Sequence, residues 1–143
     1  MYDIENSIGF LIAKVYQRGF GIFKEQLDPY ELTPPQFSLL AFLWQEDGLS
    51  QTILSLKTQI DRTTISGLID RLERQGLLRR LPDPDDRRAH RICLTELGKE
   101  LERELCAIAG QVTEKFLAPL TGAEKEALLA ILKKLRSSQE SNP

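Results

Sequence analysis

Histidine and cysteine are scarce in this 143-residue chain, which holds one His and two Cys. The lone His90 cannot supply a set of imidazole metal ligands, and Cys93 and Cys106 stand far from any CxxC pair. Neither a zinc finger nor a disulfide framework is available. There is no GxSxG, no phosphate-binding glycine loop and no HExxH, and a single His with scattered carboxylates is too little for acid–base catalysis. No catalytic residue, metal or cofactor is therefore assigned. No apolar run approaches the roughly 18 residues of a membrane span, and the opening MYDIENSIGF lacks the basic, apolar and small-residue order of a leader. The chain reads as soluble and cytoplasmic, with no membrane contact. An excess of one charge is also missing: 19 Lys and Arg against 21 Asp and Glu give a formal net charge of −2, which argues against general binding of polyanions.

What is present is a core-forming composition. Hydrophobic residues at 41% and charged ones at 28% strike an ordinary globular balance that excludes disorder throughout, and the length fits one domain. The charge is unevenly spread. Between Lys57 and Arg91 nine basic residues accompany six acidic ones, so that stretch carries +3 and the remainder −5.

Periodicity and capping signals divide the chain. From Ile4 to about Leu27, residues such as Ile8, Leu11, Ile12, Val15, Phe20 and Phe23 recur at three- and four-residue intervals, predicting a long amphipathic helix that Asp28 and Pro29 stop. Thr33, Pro34, Pro35 and Gln36 combine a capping hydroxyl, a proline in the first turn and a side chain that caps back, opening a helix to about Glu46. Ser50 caps a short helix ending near Thr58, and Asp61 caps another. Ile65, Leu68, Ile69 and Leu72 form an i, i+3, i+4, i+7 stripe closed by Gly76. Leu77–Leu81 and Arg91–Leu94 read as strands of a hairpin whose tip, PDPDDRRAH, is long and charged. Thr95 caps a long helix carrying Leu97, Leu101, Leu105, Ile108, Val112 and Phe116, ended by Pro119. Thr121 and Glu124 open the last helix as a capping box, and SSQESNP is a polar tail. The fold class is mainly α.

Two helices joined by a tight turn and followed by a hairpin are the parts of a winged helix-turn-helix, whose second helix enters the major groove of DNA. Opposite the apolar stripe of the helix after Asp61 lie Arg62, Thr63, Thr64, Ser66, Gly67, Asp70, Arg71 and Arg74. Short hydrogen-bonding groups near the N-terminus suit base edges, and the arginines suit phosphate or guanine. Gly67 on an exposed helical face costs roughly 1 kcal/mol against Ala, which close approach of the backbone to another surface would explain. In the tip, Asp83, Asp85 and Asp86 precede Arg87, Arg88 and Arg91. An acidic residue two places before an arginine can hold its guanidinium extended, and such an arginine suits a narrow minor groove. A solvated polar helix face and a flexible charged tip remain the plainer explanations of the same residues.

The run IDRTTISGLIDRLERQGLLRRLPDPDDRRAHRICLTELG, Ile60 to Gly98, resembles the recognition helix and wing of the MarR family of bacterial transcriptional regulators. LTPPQFSLLAFL (Leu32–Leu43) resembles the family's second helix and LSQTILSL (Leu49–Leu56) its third, so the likeness covers nearly the whole chain. The resemblance implies one MarR-type domain over 1–143. Residues 33–94 would form the DNA-binding lobe, with 1–30 and 95–138 as helical dimerisation regions. It further implies a homodimer on a pseudo-palindromic operator, regulating transcription most often by repression. The recognition helix would run from Asp61 to Gln75, with Ser50 and Gln51 of the preceding helix beside it. Asp86 and Arg88 match the family's Asp, any residue, Arg wing motif. Arg88 is then the minor-groove arginine, flanked by Arg87, and Asp86 its orienting partner. Thr58 and Gln59 depart from the pattern, standing where the family often has a leucine and a small turn residue. Neither Cys93 nor Cys106 matches the first-helix cysteine of redox-sensing relatives.

The first helix and the last two carry more apolar positions than one small core requires, and pairing across a two-fold axis would bury the surplus. An internal bundle would do so equally well. Relatives often bind small anionic aromatics between the dimer helices and the DNA-binding lobe. Here Lys14 and Arg18, one turn apart, would meet a carboxylate, beside Tyr16, Phe37 and Trp44. Surface charges and core aromatics are the competing reading of these five residues. A thiol-redox-responsive regulator of the same fold, and a winged helix used for protein contacts without DNA binding, are the alternative functions. Both cysteines fall at positions expected to be core.

Overall fold

The computed structural model describes residues 1–137, so the polar tail after Ser137 lies outside the described residues. Ser7, in extended conformation, accepts a hydrogen bond from the Phe10 N–H at 3.3 Å and starts α1 (Ile8–Leu27). Ile4–Asn6 form a separate 3-10 turn before it, which corrects the helix expected from Ile4. The local cap outweighs the continuing apolar spacing. After α1, Asp28–Tyr30 make a second 3-10 turn. The Thr33 N–H donates to Gln36 Oε1 at 2.9 Å in the capping box that opens α2 (Pro34–Gln45).

The middle of the chain builds the winged lobe from β1 (Leu49–Ser50), α3 (Gln51–Thr58), α4 (Arg62–Arg74), β2 (Leu78–Pro82) and β3 (His90–Leu94). Ser50 Oγ accepts from the Ile53 N–H at 3.1 Å and Asp61 Oδ1 from the Thr64 N–H at 2.8 Å. Each satisfies an otherwise orphaned donor of the helix it starts. Gly76, at φ +76°, ends the turn after α4 in the left-handed conformation that glycine adopts without steric cost. The sheet is antiparallel with order β1-β3-β2. Leu49 stands opposite Ile92 and Ser50 opposite Arg91, while β2 pairs from Leu78–Leu94 out to Pro82–His90. Strand β1 is a finding that the sequence did not announce. Its two residues join the hairpin by a pairing some forty positions away, and in doing so set the N-terminus of α3 beside the wing.

The expected single helix after Thr95 is two, α5 (Glu96–Glu100) and α6 (Glu102–Phe116), separated at Leu101. Segment α5 is pinned to the wing base. The Trp44 indole N–H donates to the Gly98 carbonyl at 2.9 Å, and a Cβ on Gly98 would strike the Leu77 carbonyl oxygen. Helix α6 instead packs along α1, where a Cβ on Gly19 would come within 3.3 Å of the Phe116 ring. The last helix, α7 (Gly122–Ser137), opens with Glu124 Oε1 accepting from the Thr121 N–H at 2.9 Å.

Ile65, Ile69 and Leu72 of α4 are fully buried with Leu39, Leu40 and Leu43 of α2, Leu54 of α3, Ile92 of β3 and Leu105 of α6. Burial of each such side chain contributes about 1.5–3 kcal/mol before the entropy of ordering it, so the stripe of α4 fastens the helix to the lobe. The outer helices are different. Ile8, Leu11, Ile12 and Val15 of α1 are 45–75% exposed, and Leu129, Ile131, Leu132 and Leu135 of α7 are 51–59% exposed. Among the described residues, the apolar surplus of these helices is left outside the core. Among the described residues no helix is long and apolar enough to cross a membrane.

Candidate nucleic-acid interface

The polar face of α4 is organised from both ends. At the N-terminus the Asp61 carboxylate accepts from the backbone N–H of Thr64 at 2.8 Å and from its hydroxyl at 3.0 Å. These bonds favour the ionised form and hold the carboxyl below its usual range. Thr64 is thereby fixed in one orientation, beside exposed Arg62 and Thr63. Further along, Gly67 is exposed and a Cβ added there would meet no protein atom within 4 Å. The close approach that would account for this glycine is therefore not to another part of the described chain.

Ser66 and Asp70 are oriented differently from the rest of this face. Arg80, on β2, donates from Nη1 to Asp70 Oδ1 and to Glu73 Oε1 at 2.6 Å, and from Nη2 to the Ser66 carbonyl at 3.1 Å and hydroxyl at 3.3 Å. Glu73 Oε2 accepts in turn from the Arg80 N–H. Both Ser66 and Asp70, grouped by spacing with the DNA-facing set, are used to tie α4 to the wing. Arg74 donates from Nε to the Asp70 carbonyl at 3.4 Å, and Arg71 is exposed. Arg80 itself and Glu73 escaped sequence reasoning, because their meeting depends on how β2 folds back over the helix.

The wing tip is shaped by its aspartates. Asp83 Oδ1 accepts from the Asp85 N–H and Asp86 Oδ1 from the Arg88 N–H, both at 2.9 Å, two side-chain turns that bend the chain. Asp86 therefore reaches the backbone of Arg88, where its guanidinium had been expected. A short aspartate finds the amide two residues on more readily than the end of a long side chain. The ion pair of the tip is Arg91–Asp83, at 3.8 Å. Among the described residues no ion pair engages Arg62, Arg87 or Arg88.

These elements enclose a cleft of about 210 Å³ lined by Ser50, Gln51, Thr52, Arg62, Arg88 and the start of β3, including His90. The pairing of Ser50 with Arg91 sets the N-terminus of α3 beside the tip end of the wing, and Arg62 brings the N-terminus of α4 to the same space. Helix N-termini carry unsatisfied N–H groups and partial positive charge, and two arginines reinforce them. The chemistry suits an anionic oxygen. Ser50, Gln51, Arg62 and Arg88 were named from the sequence; Thr52 and His90 were not, although Thr52 lies in the first turn of a capped helix.

The proposed effector residues are dispersed. Phe37 packs against Phe23 at 4.9 Å and Trp44 at 5.8 Å between ring centroids. Tyr16 lies beside Phe20 at 5.8 Å. Lys14 donates to Gln17 Oε1, whereas Arg18 donates to the Phe116 carbonyl at 3.3 Å and stands over its ring. The structure thus joins Phe37 with Trp44 and turns Lys14 and Arg18 to other neighbours. Of the cysteines, Cys93 is half-buried and Cys106 exposed. The latter corrects the expectation of a core position, because no other described residue covers its side of α6.

Comparison with known proteins agrees with this architecture. The MarR family model matches residues 32–90, the segment from α2 to the start of β3. The HTH-type transcriptional repressor NicR of Pseudomonas putida is 36% identical over 140 residues, covering 98% of this chain and 89% of that protein. BpsR of Bordetella bronchiseptica, whose structure addresses regulation of its DNA binding by 6-hydroxynicotinic acid, superposes with a TM-score of 0.91 at 32% identity, covering 96% and 99% of the two chains. A MarR variant from E. coli complexed with operator DNA superposes with a TM-score of 0.84 at 28% identity, covering 90% and 92%. With a capped recognition helix fastened to a wing, and relatives of this kind matched over nearly its whole length, the chain belongs to the MarR family of winged-helix, DNA-binding transcriptional regulators.

Proposed function

We propose that the protein is a repressor that binds a pseudo-palindromic operator as a homodimer and is released by a small aromatic acid. The observation that carries the operator reading is the cleft of Ser50, Gln51, Thr52, Arg62 and Arg88, where two helix N-termini and two arginines without ion-pair partners among the described residues face one space. Arg62, Thr63, Thr64, Gly67 and Arg71 would read or approach the major groove, and Arg87 and Arg88 the adjoining minor groove. Ser66, Asp70, Arg74 and Asp86 would act by holding this surface in shape.

One recognition helix reads only a few base pairs, so specificity calls for two copies about 34 Å apart. The exposed apolar faces of α1 and α7 are the surface proposed to pair in the dimer. Release by an aromatic acid is supported by BpsR, whose DNA binding is described as regulated by 6-hydroxynicotinic acid. In this chain Arg18, exposed and standing over Phe116, would meet the carboxylate together with Lys14, near Tyr16. Phe37 and Trp44 would line the apolar side. A ligand acts here only through unequal affinity for the DNA-competent and DNA-incompetent dimers.

The test joins sedimentation of the purified protein with DNA titrations at several salt concentrations, with and without 6-hydroxynicotinic acid. A dimer, a steep fall of affinity with salt and weakening by the acid are expected. A monomer, or DNA affinity indifferent to salt, would overturn the operator reading. Indifference to the acid alone would overturn only the effector.

A further inference from the structure

Helix α7 buries none of its described residues, yet it is joined to the DNA-binding lobe at one defined place. The Arg136 guanidinium donates from Nε to Gln59 Oε1 and from Nη2 to the Lys57 carbonyl, each at 3.0 Å, across 77 and 79 positions of sequence. Both acceptors belong to the end of α3, in the turn that leads directly into the recognition helix. The Lys57 carbonyl is one of the four that an α-helix leaves without an internal partner, and a cation at that end also complements the helix dipole. The Lys57 ammonium stands over the Phe42 ring, 5.8 Å from its centroid, while its carbonyl accepts from Arg136.

Gln59 marks the place as unusual. It adopts a left-handed conformation, φ 58°, which glycine or asparagine takes with less strain. Backbone geometry does not select glutamine there, whereas an amide oxygen that accepts from Arg136 gives the side chain a use. Thr58 fastens the same turn from within, its hydroxyl donating to the Leu54 carbonyl at 2.7 Å and accepting from the Ile60 N–H at 3.3 Å. Thr58 and Gln59 are the two positions at which the chain departs from the residues expected of its family in this turn.

We infer that Arg136 is a positioning residue that links the proposed dimerisation helix to the helix-turn-helix turn and thereby fixes the separation of the two recognition helices. This rests on the dimeric operator reading. A guanidinium with two divergent donors constrains direction as well as distance, so each lobe is held at a set angle to the helix that would pair with its partner. Operator discrimination by half-site spacing then depends on the Arg136 link as well as on the interface itself.

The experiment uses the full-length chain and its selected operator, resynthesised with the half-site separation shortened or lengthened by one base pair. Dissociation constants are measured for wild type, Arg136→Ala, Arg136→Lys and Gln59→Ala. Wild type should prefer the natural spacing by about tenfold or more, the size of a typical coupling between sites. Arg136→Ala should bind all three spacings within about threefold of one another, with an unchanged salt slope, because a joint has been loosened and no phosphate contact removed. Gln59→Ala and Arg136→Lys should fall between, each retaining part of the link. Circular dichroism and sedimentation report whether Arg136→Ala folds and dimerises. If it does not, the other two variants carry the comparison. A wild-type spacing profile in the folded variants, or an equal loss at every spacing, would overturn the inference. A wild-type protein that shows no spacing preference at all would instead sink the dimeric operator reading on which it rests.

Discussion

Arg80 and Glu73 bind each other twice: the guanidinium Nη1 donates to Glu73 Oε1 at 2.6 Å, and Glu73 Oε2 accepts from the Arg80 backbone N–H at 3.3 Å. One side chain of the recognition helix thus holds both ends of a wing residue. Arg80 also reaches Asp70 and Ser66, with its side chain only 19% exposed. Such charge-assisted bonds are stronger than neutral ones and directional. Replacing Arg80 by Ala takes the guanidinium from Glu73 Oε1, Asp70 and Ser66 while the residue-80 N–H still serves Glu73 Oε2, so we expect a loss of about 1–3 kcal/mol of stability. Operator preference should blur at positions flanking the major-groove contacts, where the wing lies. Chemical denaturation and footprinting check this; unchanged stability would contradict the role given to the pair.

Asp61 gives the recognition helix an acid limit. Hydrogen bonds from Thr64 hold its folded-state carboxyl below the usual range, so the stabilisation is present above the unfolded value of about 4 and is lost as pH falls through the lower folded value. Asp61→Asn keeps an acceptor for the cap without titrating. Thermal unfolding of the two proteins between pH 7 and 3 should show the wild-type advantage shrinking below about pH 4. A difference constant with pH would contradict the assignment.

Gly67 separates helix stability from function. Its exposed position and the open space around it predict that Gly67→Ala stabilises the protein by roughly 0.5–1 kcal/mol, seen as a rise in Tm. Operator affinity should fall nonetheless, because the added methyl stands on the face proposed to meet DNA. A variant that is both more stable and equally tight in binding would show that DNA does not approach the helix there.

Cys93 is an unpromising redox switch. Burial pushes its thiol up, with Asp47 adding to the effect, so the reactive thiolate is scarce at neutral pH. Mild peroxide should leave operator affinity unchanged. A loss that dithiothreitol reverses in wild type, and that is absent in Cys93→Ser, would establish the switch instead.

Local hydrogen bonding and periodicity made much of the fold legible. The caps at Thr33, Ser50, Asp61, Thr95 and Thr121 each lie within three residues of the N–H they serve, and the α4 stripe alone identifies the face that is buried. What escaped depends on distant partners. Leu49 and Ser50 become a strand only because Ile92 and Arg91 come alongside, and no proline or glycine marks the break at Leu101. Within the site, Arg62, Arg71 and Arg74 are legible from their position opposite the stripe, and Arg87 and Arg88 from the charged tip and its likeness to the family's wing motif. The duties of Ser66 and Asp70 were not, since they follow from Arg80 folding back over the helix.

The most direct test of wing and recognition helix together is selection of bound fragments from genomic DNA at two salt concentrations, by the wild-type protein and by Arg88→Ala in parallel. Wild type should enrich a pseudo-palindrome, and Arg88→Ala should lose its flanking A·T-rich preference. Enrichment of no sequence by wild type, or an identical motif and yield with Arg88→Ala, would contradict the placement of the wing in the minor groove beside a recognition helix that reads the operator.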